Sequence, residues 1–294
     1  MPVTKTPFIV WKAFFVSFYC LNNYNKVVGF IILEVDRLSF MAGYNLQDVL
    51  NYSTVDVLDY SIFNSSLNKL TFDKKTLITT VNQYSYMIAE KDEQFKRALI
   101  NSDILLPDGV GIVAAAKMLN GDDVKKIAGA DVHQHLLQKL SQDGGSCFYL
   151  GSSESTLDAI KKRLAKEYPK IKVGSYSPPY KAEFSDEENA AMIAAVNEFK
   201  PQILFVGMTA PKQEKWSYRF KDQLDTMVIC AIGAVFDFYA ETITRPSEFW
   251  INLGLEWAVR LAKEPKRMAR RYLWYGPAFV FELIKAKIAN FFPE

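Results

Sequence analysis

Two runs of the chain, Ile203–Val206 and Met227–Ile232, are apolar at every position, and each is closed by a glycine, Gly207 and Gly233. A strand with one wet face alternates apolar and polar side chains, so a strand with no polar position must be covered on both faces. Ile104–Leu106 and Cys147–Leu150 read the same way, Thr76–Val81 (TLITTV) reads as a strand rich in β-branched residues, and Ile171–Val173 as a shorter strand. Apolar residues at helical spacing separate them: Tyr84, Met87, Ile88, Phe95 and Leu99, then Leu157, Ile160, Leu164 and Tyr168. Ser185-Asp186-Glu187-Glu188 has the pattern of a capping box and opens a further helix through Ile193, Val196 and Phe199. Strands alternating with helices predict an α/β, doubly wound, mainly parallel sheet with Rossmann-like halves.

That class places ligands at the carboxyl ends of the strands. Four such ends carry polar residues: Thr80-Val81-Asn82, Pro107-Asp108-Gly109-Val110-Gly111, Gly207 to Glu214 (GMTAPKQE), and Gly233 to Asp237 (GAVFD). Asp108 has two readings. A carboxylate there can serve as a general base if burial raises its pKa, or it can cap the helix that follows. In GMTAPKQEKW, backbone amides at a helix start suit a phosphate or diphosphate, with Gln213 and Glu214 placed to hydrogen-bond a sugar or base. The plainer reading is a solvated polar first turn. Neither GxGxxG nor GxxxxGK[ST] occurs, which disfavours dinucleotide and P-loop sites.

Charge and side-chain counts exclude other classes. A net charge of +2 is too small for general nucleic-acid binding. Cys20, Cys147 and Cys230 are odd in number and far apart, forming neither a disulfide framework nor a CxxC metal site, which fits a reducing compartment. His133 and His135 stand two apart on a predicted helix and point to different faces, so both read as structural or exposed.

From Arg245 to the end, nine basic residues face five acidic ones, a local excess of +4 that leaves −2 for the remainder. On one helix, Arg260, Lys263, Arg267, Arg270 and Arg271 would share a face, with Pro265 kinking that helix or opening a new one. Trp250, Trp257, Tyr272, Trp274 and Tyr275 flank the stripe, Gly276-Pro277 is expected to break the helix, and an apolar helix from Ala278 to Phe292 follows. Such a face binds anionic headgroups or a diphosphate, or is merely solvated. At the other end, Phe8–Cys20 is apolar but interrupted by Lys12 and shorter than the ~20 residues a membrane span needs. As a signal peptide, with Lys5 as its basic region, it lacks a small-residue cleavage site. Met41 is a candidate initiator. The expected organisation is an extension over 1–54, a core over 55–244 and a basic, aromatic helical appendage over 245–294.

In order along the chain, PDGVG, IAGAD, FVGMTAPKQEKW, AIGAVFDFYAETITRP and GLEWAVRLAKEPKRMARRYL resemble the WecG/TagA/CpsF glycosyltransferases, from about Val55 to Phe281. The resemblance implies an inverting, metal-independent enzyme without cofactor. It would move an N-acetylmannosamine-like or related hexose from a UDP-sugar to a polyprenyl-diphosphate-linked sugar, in cell-surface polysaccharide or teichoic acid synthesis. It makes Asp108 the base and assigns donor or pocket contacts to Thr80, Asn82, Gln213 and Asp237. It also matches Arg260, Arg267 and Arg270 to appendage arginines that close over the diphosphate and help docking at the anionic inner face of the plasma membrane. Lys126 stands where the family has arginine, which keeps the charge but loses bidentate geometry. Family members occur as dimers or monomers, so the resemblance leaves open whether the chain forms a homo-oligomer, and nucleic acid is not a partner. Two other readings compete: a catalytically idle membrane adaptor of a polysaccharide assembly complex, and an NAD(P)-dependent oxidoreductase.

Overall fold

A computed structural model describes residues 52–242, 249–250, 256–263 and 265–291. Cys20, Met41, Arg245 and the Phe8–Cys20 run lie outside the described residues, as do the side chains of Arg260 and Arg267.

Strands β1 (Thr54–Val57) and β2 (Tyr60–Phe63) form an antiparallel hairpin whose two turn residues, Leu58 and Asp59, have φ of 52° and 66°. The six strands that follow form one parallel sheet: β3 (Thr76–Val81), β4 (Ile104–Pro107), β5 (Ser146–Gly151), β6 (Lys172–Tyr176), β7 (Ile203–Gly207) and β8 (Val228–Ala231). Their spatial order is β4-β3-β8-β7-β5-β6, with every pairing parallel. The α/β parallel sheet expected from the apolar strands is therefore present. The sixth strand begins at Lys172 rather than Ile171 and runs to Tyr176 along β5.

Successive residues of each central strand go to opposite cores. Ile78, Cys147, Tyr149, Ile203, Phe205 and Cys230 pack in one cluster with Val132, Leu136, Leu157 and Ile160. Leu77, Phe148, Leu150, Leu204, Val206 and Ile229 pack in another with Met192, Val196, Trp216 and Phe220. This two-sided burial is the reason no position of β3, β7 or β8 is exposed.

Helices α1 (Gln83–Ala89) and α2 (Glu93–Ile100) occupy the stretch of helical spacing after β3. A break at Glu90–Asp92 separates them, because the Asp92 carboxylate accepts from the Phe95 amide and starts α2 afresh. Next come α3 (Val110–Asn120), α4 (Gly129–Asp143) and α5 (Glu154–Glu167). Then follow α6 (Asp186–Phe199), α7 (Lys212–Phe220) and α8 (Val235–Tyr239). The Ser185 capping box forms, its hydroxyl accepting from the Glu188 amide while Glu188 accepts from the Ser185 amide.

The C-terminal part is not one basic helix. Helix α9 (Glu256–Lys263) stops before Pro265, which opens α10 (Pro265–Ala269) as a first-turn proline can. A π-helical turn, Arg270–Trp274, then leads directly into α11 (Tyr275–Phe291). Gly276-Pro277 thus lies inside a helix instead of breaking it. Pro277 falls in the first turn of α11, just after the register shift of the π turn, so its missing N–H disrupts no regular ladder. Phe279 and Leu283 of α11 pack with Tyr86 and Met87 of α1 and with Ile112 of α3.

Candidate active site

One cavity of about 860 Å³ opens at the carboxyl ends of the sheet. All six parallel strands feed it, through Thr80 near the end of β3 and Asn82 after it, Asp108 after β4, Ser152 and Ser153 after β5, Ser177 after β6, Met208 after β7, and Ile232 and Gly233 after β8. Met268, Arg270 and Arg271 of the C-terminal helices line the same cavity.

Close backbone approaches hold these ends together. A Cβ on Gly111 would sit 2.9 Å from the Gln83 side chain, so the glycines of PDGVG let the start of α3 lie against the start of α1. Gly109 is the N-cap of α3 and has φ of +132°, a conformation that only glycine adopts without strain. Gly109 rather than Asp108 holds the N-cap position of α3, and Asp108 stands one residue before it. The Asp108 amide donates to Val81 O at 2.8 Å, tying the half-buried aspartate to the end of β3. A Cβ on Gly129 of IAGAD would lie 3.1 Å from Val235, so the glycine lets α4 seat on the end of β8.

Asn82 caps α1: its Oδ1 accepts from the Tyr84 and Ser85 amides, both at 3.0 Å, and Ser85 Oγ accepts from the Asn82 amide. With Oδ1 engaged, Nδ2 is the group it can offer a ligand. Helices α3 and α7 begin at the cavity without side-chain caps, so their amides present partial positive charge there. Lys212 adds a cation; its Nζ donates to Lys181 O at 2.7 Å and lies 4.6 Å from the Phe184 ring centre, and burial lowers its pKa below the usual lysine value.

Gln213 and Glu214 are both buried, at 5% and 2% exposure, although they occupy the first turn of a helix. They are not a solvated polar turn. Gln213 Nε2 donates to Glu214 Oε1 at 2.8 Å, and burial pushes the Glu214 carboxyl up to about 7, with the Gln213 amide and its own backbone N–H opposing. Gln213 Oε1, Glu214 Oε2 and Ser217 Oγ are buried without a hydrogen-bond partner.

The cavity thus assembles Thr80, Asn82, Asp108, Gln213, Glu214, Asp237 and Arg270 from the sequence-derived candidates. Lys126 is not among its lining residues: it is half-buried in the loop before α4, and only the following Ala128, Gly129 and Ala130 reach the cavity. The side chains of Arg260 and Arg267 lie outside the described residues. Sequence reasoning passed over Ser152 and Ser153, although the rule that found the other strand ends, polar residues right after an apolar strand, applies equally to Cys147–Leu150. Ser177 carried no comparable signal, because β6 is short and half-buried. His133 is buried, with Nε2 2.7 Å from Tyr149 OH and three aromatic rings around it, and burial lowers its pKa to about 3. It is a structural histidine. Among the described residues no cluster of metal-ligating side chains occurs, and no helix is long and apolar enough to cross a membrane.

This arrangement sets a carboxylate beside uncapped helix starts and cations, in a cleft large enough for a nucleotide sugar. Comparison with known proteins points to the same chemistry. An N-acetylglucosaminyldiphosphoundecaprenol N-acetyl-β-D-mannosaminyltransferase of Bacillus subtilis (strain 168) is 28% identical over 223 residues, covering 75% of this chain and 83% of that protein. Enzymes of the same name from Bacillus spizizenii and Staphylococcus aureus (strain MW2) are 28% and 24% identical, covering 84% and 94% of their own lengths and 76% and 81% of this chain. The sequence model of the glycosyl transferase WecG/TagA/CpsF family matches residues 47–291, and the chain belongs to that family.

Proposed function

We propose that this glycosyltransferase moves an N-acetylmannosamine-type hexose from a UDP-sugar to a polyprenyl-diphosphate-linked sugar, with inversion at the anomeric carbon. The observation that carries the reading is the presence of Asp108, Arg270 and Arg271 around one cavity. Asp108 takes the proton from an acceptor hydroxyl as that oxygen bonds to the anomeric carbon. The bond from this carbon to the β-phosphate oxygen breaks, and UDP leaves with the electron pair. Its negative charge meets Arg270, Arg271 and the uncapped start of α3 or α7, electrostatic stabilisation that in this reading takes the place of a metal ion.

The acceptor's lipid suggests where the enzyme works. Leu273 and Trp274 are 65% and 72% exposed, and Val280, Phe281, Ile284 and Ile288 expose an apolar face of α11 opposite its packed face. A face of this kind beside cationic side chains suits an anionic bilayer surface. In this reading the protein sits peripherally on the inner face of the plasma membrane, and the cavity mouth meets the diphosphate there.

The test is UDP release across a panel of UDP-sugars with a short-chain polyprenyl-diphosphate-N-acetylglucosamine acceptor, for wild type and Asp108→Asn. Acceptor-dependent release by wild type alone is expected. Equal turnover by Asp108→Asn would remove the base, and the absence of release with every donor would favour an adaptor role.

A further inference from the structure

Gln213 and Glu214 are adjacent in sequence, yet both are buried and their side chains bond each other. This is unusual for the first turn of a helix, where side chains ordinarily turn to solvent or cap the amides. The contact has a direction. Glu214 Oε1 accepts, so the Gln213 amide must turn its nitrogen to Glu214, which leaves its carbonyl on the other side. That carbonyl lies against the end of β8: a Cβ on Gly233 would come within 2.5 Å of Gln213 Oε1. Gly233 therefore provides the space that Oε1 occupies, and Oε1 is buried without a partner of its own. A buried carbonyl without a donor costs stability unless something supplies one.

We infer that Glu214 is a positioning residue for sugar transfer, holding the Gln213 amide so that its carbonyl accepts a hydrogen bond from a hydroxyl or amide N–H of the donor sugar. The inference rests on the proposed transfer reaction and adds to it the part of the substrate that Gln213 reads. Sheet geometry favours the sugar over the nucleotide. Gly233 follows β8, and Asp108 follows β4, with only β3 between those two strands. Two strand spacings are about 10 Å, so the base and the Gln213 carbonyl bracket a space of about one hexose. Without Glu214, the amide can flip and present N–H groups where the carbonyl stood, and selectivity for a donating group on the sugar falls.

Glu214→Leu, Glu214→Gln, Gln213→Leu and the double variant Gln213→Leu/Glu214→Leu separate this role from a structural one. Steady-state transfer is measured with UDP-N-acetylmannosamine, and UDP is measured as a product inhibitor. Glu214→Leu should raise KM for the donor about tenfold, the loss of one oriented hydrogen bond, while the inhibition constant of UDP stays within about twofold of wild type. In Glu214→Gln the new side-chain carbonyl accepts from Gln213 Nε2 in place of the carboxylate, so the donor KM should return to near the wild-type value. The double variant should be no worse than Gln213→Leu, because Glu214 acts through Gln213. An unchanged KM in Glu214→Leu, additive losses in the double variant, or a parallel weakening of UDP would each overturn the assignment while leaving the transfer reaction standing. If Glu214→Leu does not fold, the comparison of Glu214→Gln with Gln213→Leu decides: equal donor KM values in these two overturn it. No transfer by wild type from any UDP-sugar would overturn the reaction and this inference together.

Discussion

The Arg271 guanidinium lies over the Tyr84 ring, 4.9 Å from its centre. This contact joins the π-helical turn of the C-terminal part to the first turn of α1, two residues beyond Asn82. Tyr84 also meets Tyr275 edge-on at 5.1 Å, so the cation and two aromatic rings form one joint at the cavity wall. The joint places Arg270 and Arg271 at the cavity by packing, before any substrate arrives.

Arg271→Ala should lower kcat/KM for transfer by about tenfold, since a partly desolvated cation–π contact contributes about 1–2 kcal/mol and the variant also removes a charge at the cavity. Arg271→Lys should recover only part of this, because an ammonium lacks the planar face that stacks on a ring. Steady-state kinetics at fixed acceptor concentration give the comparison, and full recovery by lysine would show that charge alone matters.

Gly109 is the second test. Its φ is +132°, and a Cβ at this position would lie 3.1 Å from Gln83 Oε1, so no unstrained place exists for a side chain. Gly109→Ala should cost about 1–2 kcal/mol, a fall in Tm of about 2–8 °C for a chain of this size. Transfer should fall further than stability does, because Asp108 rides on the same turn. Thermal denaturation and turnover on the same sample separate the two effects.

The Glu214 carboxyl predicts a pH dependence of stability. Its folded pKa, about 7, is above its ordinary value of 4.5, so the folded state holds this proton more tightly than the unfolded chain does. The stabilisation is complete below pH 4.5 and is lost as pH rises through about 7. Glu214→Gln cannot ionise and lacks that loss. The Tm of the variant minus that of wild type should therefore increase from about pH 5 to about pH 8. A difference that is flat, or that falls, would show Glu214 to be ionised throughout.

Leu273 and Trp274 test the membrane surface. Replacing both with glutamate removes apolar area from a region where the two are 65% and 72% exposed, so folding should be unaffected. Co-sedimentation with vesicles containing anionic lipid should fall at least about tenfold, from lost apolar insertion and added like charge. Retained binding would move the docking face elsewhere.

Elements that depend on local chemistry were legible from the residues alone. Unbroken apolar runs made Ile203–Val206 and the stretch around Met227–Ile232 buried strands, Ser185 and Glu188 capped α6, and Pro265 opened α10. Polar residues at strand ends marked Thr80, Asn82, Asp108, Gln213 and Asp237, and all five line the cavity. Motif resemblance supplied the family, which the match over residues 47–291 bears out. Strand order was decided only in three dimensions. β8, last in the chain, enters the sheet between β3 and β7, which brings the Gly233–Asp237 end beside Thr80 and Asn82. Such non-local pairing leaves no trace in periodicity, because any buried parallel strand carries the same apolar pattern. Tertiary packing also carried α11 through Gly276-Pro277 and turned Gln213 and Glu214 inward, against the local preference of a polar first turn for water. In each case contacts distant in sequence decided what the local pattern left open or favoured otherwise.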